Sequence, residues 1–207
     1  MPKTIPQSKT ALFAHKPAFW TLLIAATAAL IAAFVLTIDK LHLLENPDAI
    51  LSCSLNVVLN CSTVMQSAQS HVFFDIPNMY FGMMAFPVIV TVAVAGLWGT
   101  RFAKSFLVAT NIGVLIGTIF SYWLFFTSLY VIQVLCPWCL VVTTACTLML
   151  AAITHINLKE NSFAFNETTN AKVQAFLKGG YHQLIVASWL VLMIALVFIK
   201  FGTALFA

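Results

Sequence analysis

The sequence predicts an all-α integral membrane protein with five transmembrane helices, four of them in a bundle and the fifth at its periphery. The 207-residue chain is 61% hydrophobic and only 8% charged, whereas a soluble domain carries about 25% charged residues. Five apolar runs approach the roughly 20 residues that a bilayer span requires. They lie at about residues 19–38, 79–98, 105–127, 136–154 and 184–201.

The boundary between the third and fourth spans follows from helix length. The fifty residues from Ser105 to Thr154 contain no Asp, Glu, Lys or Arg. As one straight helix they would extend about 75 Å, which is more than twice the roughly 30 Å thickness of the hydrocarbon core. The chain must therefore fold back once. Because proline fits the first turn of a helix and disrupts its interior, Pro137 favours a break at about residues 127–135.

The basic residues predict which loops face the cytoplasm. With five alternating spans, only Lys40 and Lys200 fall on one side, and the other side is cytoplasmic by the positive-inside rule. The outer loop 39–78, the turn before the fourth span and the C-terminus then all face outward. The cytoplasmic set is Lys3, Lys9, Lys16, Arg101, Lys104, Lys159, Lys172 and Lys178.

The remaining divisions of the chain follow from these spans. Residues 1–18 form a cytoplasmic segment, 19–156 hold the four-helix bundle and the outer loop, 157–182 form a polar cytoplasmic loop with or without a short surface helix, and 183–207 hold the fifth span and the outer C-terminus. We expect the first span to be retained rather than cleaved, because its apolar run exceeds the usual 7–15 residues of a signal peptide. The scattered basic residues predict no nucleic-acid partner.

The first candidate redox site is Cys136-Pro137-Trp138-Cys139, at the start of the fourth span. A CxxC at a helix N-terminus brings two thiols together, and the free N–H groups and helix dipole favour the thiolate of the first. We therefore expect Cys136 to be the more exposed and more acidic thiol. Cys139 should lie one turn deeper and face the bundle.

The second candidate site is the pair Cys53 and Cys61 in the outer loop. Their Cα atoms would be roughly 12 Å apart in one helix and about 26 Å apart in an extended chain, whereas a disulfide requires less than about 7 Å. Either the segment bends, or the two cysteines bond elsewhere. A static disulfide that staples the loop is one interpretation, but a CxxC on the same side of the membrane favours a pair that exchanges disulfides with it.

Metal binding and a purely structural role are the alternatives to redox chemistry. The CxxC could be half of a zinc site that recruits Cys53 and Cys61. It could also hold Cu(I) with nearby methionines, although a transporter should carry polar or ionisable groups inside its spans. In a non-enzymatic membrane subunit the cysteines would be structural. We expect a fifth cysteine, Cys146, to be a buried packing residue. The methionines considered as Cu(I) ligands are Met65, Met79, Met83 and Met84.

A dithiol relay at the membrane surface needs an electron acceptor, and a lipid-soluble acceptor there is a quinone. A pocket between helices rich in Phe, Trp and Met could hold it. Asn78, at the outer start of the second span, is either a helix N-cap or a hydrogen-bond donor to a quinone carbonyl. We expect the other charged groups of the outer loop to be solvated, although His42 or His71 could tune a thiolate or act as a base and the acidic residues could orient a partner. Asp39 and Lys40 should mark the membrane boundary. These solvated groups are Asp39, His42, Glu45, Asp48, His71 and Asp75.

In combination these motifs resemble those of the vitamin K epoxide reductase family in its bacterial form. The matching elements are Cys53 and Cys61 followed by Ser62-Thr63-Val64, then Asn78-Met79-Tyr80-Phe81-Gly82, then Cys136 and Cys139 opening the next helix but one. The resemblance covers about residues 19–156. The order of the cysteines differs from that in the DsbB type of quinone-linked oxidase, where the CxxC lies in the first outer loop.

The resemblance implies a role for each candidate residue. Cys53 would exchange with an external partner, and Cys61 with Cys136. Cys139 would face the quinone and form a thiolate–quinone adduct. Asn78 would bond a quinone carbonyl, in place of the cap that its position alone favours. In bacteria the family oxidises a periplasmic thioredoxin-fold protein of the DsbA kind and passes the electrons to the quinone pool, which supports disulfide formation in exported proteins.

The resemblance also implies a location and shows two departures. The expected location is the bacterial inner membrane, with both cysteine pairs facing the periplasm and ubiquinone or menaquinone as the acceptor. Animal members carry a tyrosine four residues after the second CxxC cysteine, where this chain has Thr143, so reduction of vitamin K epoxide is not expected. Many bacterial members carry a fused thioredoxin domain after the fifth span. This chain ends at Ala207, so we expect a separate partner protein.

Overall fold

The computed structural model describes residues 15–47, 51 and 53–205. Five of its helices are long and apolar enough to span a membrane, which confirms the predicted all-α membrane architecture. They are α1 (Lys16–Glu45), α3 (Asn78–Leu97), α4 (Lys104–Thr127), α5 (Pro137–Lys159) and α7 (Tyr181–Phe201). Two shorter helices are α2 (Cys61–Gln66) and α6 (Glu167–Lys178), and short 3₁₀ turns cover Ala68–His71 and Gly202–Leu205.

Helix α1 packs against both α3 and α5, and α5 also packs against α4. Small side chains allow this close packing, because without bulky groups the helix backbones can approach one another. At Gly96 of α3, a Cβ atom would overlap the ring of Phe19 on α1. The buried alanines of α1 are Ala25, Ala26, Ala29, Ala32 and Ala33.

The outer end of α1 extends about two turns beyond the predicted span, to Glu45. In this extension Leu43 is buried, and together with Leu36 it joins a cluster of buried residues that contains Cys53, Cys61 and Cys136. The first helix therefore reaches into the outer loop and supports the cysteines directly.

The reversal between α4 and α5 lies where the uncharged run predicted it. Helix α4 continues as a π-helical turn over Ser128–Ile132, a local widening that often marks functional sites. Gln133 then adopts a left-handed conformation with φ of 57°. Leu135 next pairs with the outer loop: its N–H donates to the carbonyl of Val58 at 2.7 Å, and its own carbonyl accepts from the N–H of Asn60 at 2.9 Å.

Helix α7 lies at the periphery of the bundle, as predicted, and Met193 is its single buried residue among those described. The Trp189 indole N–H donates to the Tyr122 hydroxyl at 2.7 Å and ties α7 to α4. The polar segment before α7 contains a short helix, α6. The side chain of Asn166 caps α6 by accepting a hydrogen bond from the N–H of Thr169 at 3.0 Å.

Candidate active site

The outer-loop cysteines are bonded to each other because the chain between them turns back. Cys53 and Cys61 form a disulfide with a Cα–Cα distance of 5.7 Å. Asn56 closes the turn, since its side-chain oxygen accepts hydrogen bonds from the N–H groups of Val58 at 3.0 Å and Leu59 at 2.7 Å. Of the two alternatives left by the spacing, the structure contains the bent segment.

Cys61 is held in place as the first residue of α2 and is completely buried. Asn60 caps this helix, because its side-chain oxygen accepts a hydrogen bond from the N–H of Thr63 at 3.1 Å. The N–H of Asn60 also donates to the carbonyl of Leu135. Asn60 thus fixes Cys61 both to its own helix and to the segment that leads into the CxxC motif.

The two cysteine pairs meet through Cys61 and Cys136, whose sulfur atoms are 3.4 Å apart. The parallel backbone pairing of Leu59 with Leu135 brings them together, because each leucine precedes a redox cysteine by only one or two residues. The structure therefore places an oxidised pair in contact with a free thiol of the second pair.

Cys136 is the N-cap residue of α5, and its sulfur accepts a hydrogen bond from the N–H of Cys139 at 3.4 Å. The pKa of the Cys136 thiol is lowered, chiefly by a hydrogen bond from the Cys139 side chain and further by the N–H groups of Cys139 and Trp138, although burial acts in the opposite direction. These bonds stabilise the thiolate.

The expectation that Cys136 would be the more exposed thiol is wrong. Its exposed fraction is only 1%, because the outer loop pairs with Leu135 and covers it. Cys139 is half-buried and borders an internal cavity. Both thiols border the cavity, and Cys136 in addition lies against the loop disulfide, with its sulfur 3.4 Å from that of Cys61.

The cavity lies inside the four-helix bundle and has a volume of about 230 Å³. Its walls are mostly apolar and come from α1, α3, α4, α5 and the segment 64–70 of the outer loop. Cys139 and Asn78 both border it, together with the aromatic residues Phe81, Phe86, Phe120 and Phe125. This combination of apolar walls and a few polar groups is typical of a small-molecule site.

Asn78 is the first residue of α3, but its side chain does not cap that helix. The amide nitrogen donates to the carbonyl of Gln69 at 2.7 Å, and the amide oxygen lies 3.4 Å from the N–H of Val72. The N-cap interpretation of Asn78 is therefore wrong. A side-chain amide has two N–H bonds, so with one on Gln69 the second is available to a carbonyl oxygen in the cavity.

The remaining predicted residues fall outside the contact between the two pairs. Cys146 is buried in the main core, as a packing role requires, and it also borders the cavity. Thr143 donates from its hydroxyl to the carbonyl of Cys139 at 3.0 Å. Within the described part of the chain, no group of three or more His, Cys, Asp or Glu side chains could hold a metal ion. Of the methionines weighed for copper, Met65 is buried beside the cysteines and Met84 is exposed.

Asp39 is the residue whose position the sequence reasoning missed. Instead of being solvated at the membrane boundary, it is only 8% exposed, and its Oδ2 atom lies 3.5 Å from the sulfur of Cys53. The cause is the two-turn extension of α1. Helical spacing could have shown this, because Leu36, Asp39 and Leu43 form an i, i+3, i+7 stripe, and all three are buried.

The other charged groups of the outer loop lie mostly at the surface. His42 and Glu45 are exposed, and the His71 ring contacts the exposed Asp75 carboxylate at 3.3 Å. Asp48 lies outside the described residues.

One comparison with known proteins gives a match. The family model for the vitamin K epoxide reductase family matches residues 20–154, close to the 19–156 expected from the motifs. No curated protein and no solved structure matches the chain. The matched segment contains both cysteine pairs, Asn78 and Asp39.

Proposed function

The chain belongs to the vitamin K epoxide reductase family, and we propose that it is a quinone-dependent thiol oxidase. Family membership makes it a membrane oxidoreductase that acts on thiols and disulfides. Its substrate is the dithiol of a separate periplasmic thioredoxin-fold protein of the DsbA kind, and its electron acceptor is a membrane quinone. The result is disulfide formation in exported proteins of a bacterium, with the chain in the inner membrane and its N-terminus in the cytoplasm.

The observation that carries the proposal is the 3.4 Å distance between the sulfurs of Cys61 and Cys136. Atoms that react in a positioned complex lie about 3–3.5 Å apart before the bond forms. Thiol–disulfide exchange requires a thiolate next to a disulfide sulfur, and the Cys136 thiol, whose pKa is lowered, lies next to the Cys53–Cys61 bond.

Two exchanges move an electron pair from the outer loop to the CxxC motif. The Cys61 thiolate attacks Cys136 in the Cys136–Cys139 disulfide, so that a Cys61–Cys136 bond forms and Cys139 leaves as a thiolate. Cys53 then attacks Cys61, which forms the Cys53–Cys61 disulfide and releases Cys136. The arrangement after these steps is one loop disulfide and two CxxC thiols, the same as in the structure.

The lowered pKa of Cys136 supports the second exchange. A thiol of lower pKa leaves a disulfide faster, and Cys136 is the leaving group when Cys53 attacks Cys61. The hydrogen bond from Cys139 that lowers this pKa exists only when Cys139 is reduced. The Cys139 thiolate that the first exchange releases can therefore assist the second exchange once it has taken up a proton.

The cavity fits the ring of a quinone, which supplies an acceptor for two electrons and two protons. A cavity of about 150 Å³ admits benzene, so about 230 Å³ accommodates a substituted ring and leaves an isoprenoid tail outside. Asn78 also borders the cavity, and its second amide N–H would donate to a ring carbonyl. Cys139 borders the same cavity and would be the thiol that passes electrons to a quinone bound there.

Cys53 is the cysteine that exchanges with the partner protein in this scheme. Its exposed fraction is 6%, so a partner's thiolate reaches its sulfur only after the residues covering it move apart. The partner's first cysteine forms a mixed disulfide with Cys53, and Cys61 leaves. The partner's second cysteine then displaces Cys53, which returns the loop to its dithiol form and the partner to its disulfide form.

Substitution of Cys139 tests the proposal. Purified protein in vesicles with a quinone should oxidise a reduced DsbA-like protein, and Cys139→Ala should reduce the rate to background because no CxxC disulfide can form. Cys146→Ser, which keeps a small side chain at the cavity wall and removes the cysteine outside both pairs, is the matched control and should retain the activity. Full oxidation of the partner by Cys139→Ala would contradict the proposed function.

A further inference from the structure

Asp39 and Cys53 form a contact that the exchange scheme has not used. The Oδ2 atom of Asp39 lies 3.5 Å from the sulfur of Cys53 in a buried setting. An unpaired buried carboxylate is costly. A buried carboxyl group in contact with a redox-active sulfur is therefore a candidate for a role in the chemistry of that sulfur.

The surroundings of Asp39 leave Cys53 as its nearest reactive neighbour. The described groups whose charge interacts with that of Asp39 are the exposed His42 on the same helix and the thiol of Cys136. The adjacent Lys40 is directed elsewhere, since its ammonium group donates to the carbonyl of Met65 at 3.2 Å. This bond holds α2 against α1, so α1 positions both the carboxyl group and the loop that carries the cysteines.

The chemistry at Cys53 requires a group that takes and returns a proton. When Cys53 is in a disulfide, its sulfur has no hydrogen, and only a protonated carboxyl can donate a weak hydrogen bond to it. When Cys53 is a thiol, a carboxylate can accept the S–H hydrogen. A carboxyl at this distance therefore forms a hydrogen bond in its protonated form beside the disulfide, and in its ionised form beside the thiol.

We propose that Asp39 is a catalytic residue that exchanges a proton with Cys53 during disulfide transfer. This inference rests on the proposed function. As Cys53 attacks the Cys61–Cys136 bond, its S–H proton passes to the Asp39 carboxylate, the Cys53–Cys61 bond forms, and Cys136 leaves as a thiolate with the electron pair of the broken bond. When the partner later displaces Cys53, protonated Asp39 returns the proton to the departing sulfur.

The test compares the pH dependence of Asp39→Asn with that of the wild type. Partner-driven quinone reduction by purified protein is measured from pH 6 to pH 9. A positioned base contributes about 10²–10⁴-fold, so Asp39→Asn should be about 100-fold slower at pH 6.5. Its rate should then rise about tenfold per pH unit toward the wild-type rate, because hydroxide replaces the carboxylate and the thiolate fraction grows in that proportion.

Two further variants complete the design. Asp39→Glu keeps a carboxyl and should follow the same pH profile as the wild type at a reduced rate. Glu45→Gln removes an exposed carboxylate of the same helix and should match the wild type at every pH. An Asp39→Asn rate that is lower by one constant factor at all pH values, or within threefold of wild type at pH 6.5, overturns the proposal. If Asp39→Asn does not fold, a tenfold rise per pH unit in Asp39→Glu overturns it.

The two proposals fail in different ways. If the wild-type protein reduces no quinone with any dithiol donor, the proposed function is wrong. If the wild-type protein turns over and Asp39→Asn follows a parallel profile, only the role of Asp39 is wrong.

Discussion

Removal of Cys53 and Cys139 together should trap the intermediate of the relay. In the Cys53→Ala/Cys139→Ala variant, the remaining redox cysteines are Cys61 and Cys136, and Cys146 is buried apart from them. The two sulfurs are 3.4 Å apart, so they need to approach by only roughly 1.4 Å to reach the length of a disulfide bond. Mild oxidation should therefore produce a Cys61–Cys136 bond.

The short distance between the two sulfurs should also make the Cys61–Cys136 disulfide resistant to reduction. Well-oriented intramolecular reactions reach effective molarities of about 10⁵ M or more, so the trapped bond should persist in about 10 mM of a small monothiol. The expected product has one free thiol, that of Cys146. Thiol counting after denaturation and identification of the disulfide-linked peptides measure both quantities.

The matched control keeps the other CxxC cysteine. In Cys53→Ala/Cys136→Ala, the remaining pair is Cys61 and Cys139, and Cys139 lies one helical turn beyond Cys136 on α5, at the cavity wall. Its oxidation should be slow, and the bond should open in the same monothiol. Equal trapping in both variants, or none in the first, would refute the inference that Cys61 and Cys136 form the junction of the relay.

Three further outcomes follow from the site. The first concerns a variant whose only cysteines are Cys136 and Cys139. Its ultraviolet thiolate absorbance should show that Cys136 ionises at a lower pH than an ordinary thiol. Cys139→Ala should move that ionisation to higher pH, because it removes the hydrogen bond that lowers the pKa of Cys136. Asn78→Ala should raise the KM for a short-chain quinone about tenfold, the effect of one hydrogen bond of roughly 1.4 kcal/mol, without changing the trapping of the Cys61–Cys136 bond. Asn60→Ala removes the cap of α2, worth about 1 kcal/mol, and should slow formation of that bond several-fold in a quenched-flow assay.

The membrane architecture could be predicted because its causes are local in sequence. Span length, the uncharged run from Ser105 to Thr154 and the position of Pro137 depend on composition and on the geometry of a single helix. The same reasoning placed Cys136 at the start of a helix, where the structure has it.

The contacts of the site could not be predicted in the same way, because they depend on pairing between distant segments. Burial of Cys136 follows from the backbone bonds of Leu135 to Val58 and Asn60, which no local pattern specifies. The choice of Gln69 and Val72 as partners of Asn78 likewise depends on the path of the outer loop. Asp39 lies between these two cases. The helical stripe that buries it is visible in the sequence, but the first span was expected to end at about residue 38, before this residue.

The central claim is that two dithiols deliver their electrons to a quinone, and an anaerobic titration tests it most directly. The purified protein is fully reduced, freed of reductant and mixed with a short-chain quinone while free thiols and quinone absorbance are followed together. The relay predicts loss of four thiols with formation of two quinols, or of two thiols with one quinol if only one pair is oxidised, with the Cys146 thiol retained. Thiols that persist beside unreduced quinone would contradict the relay.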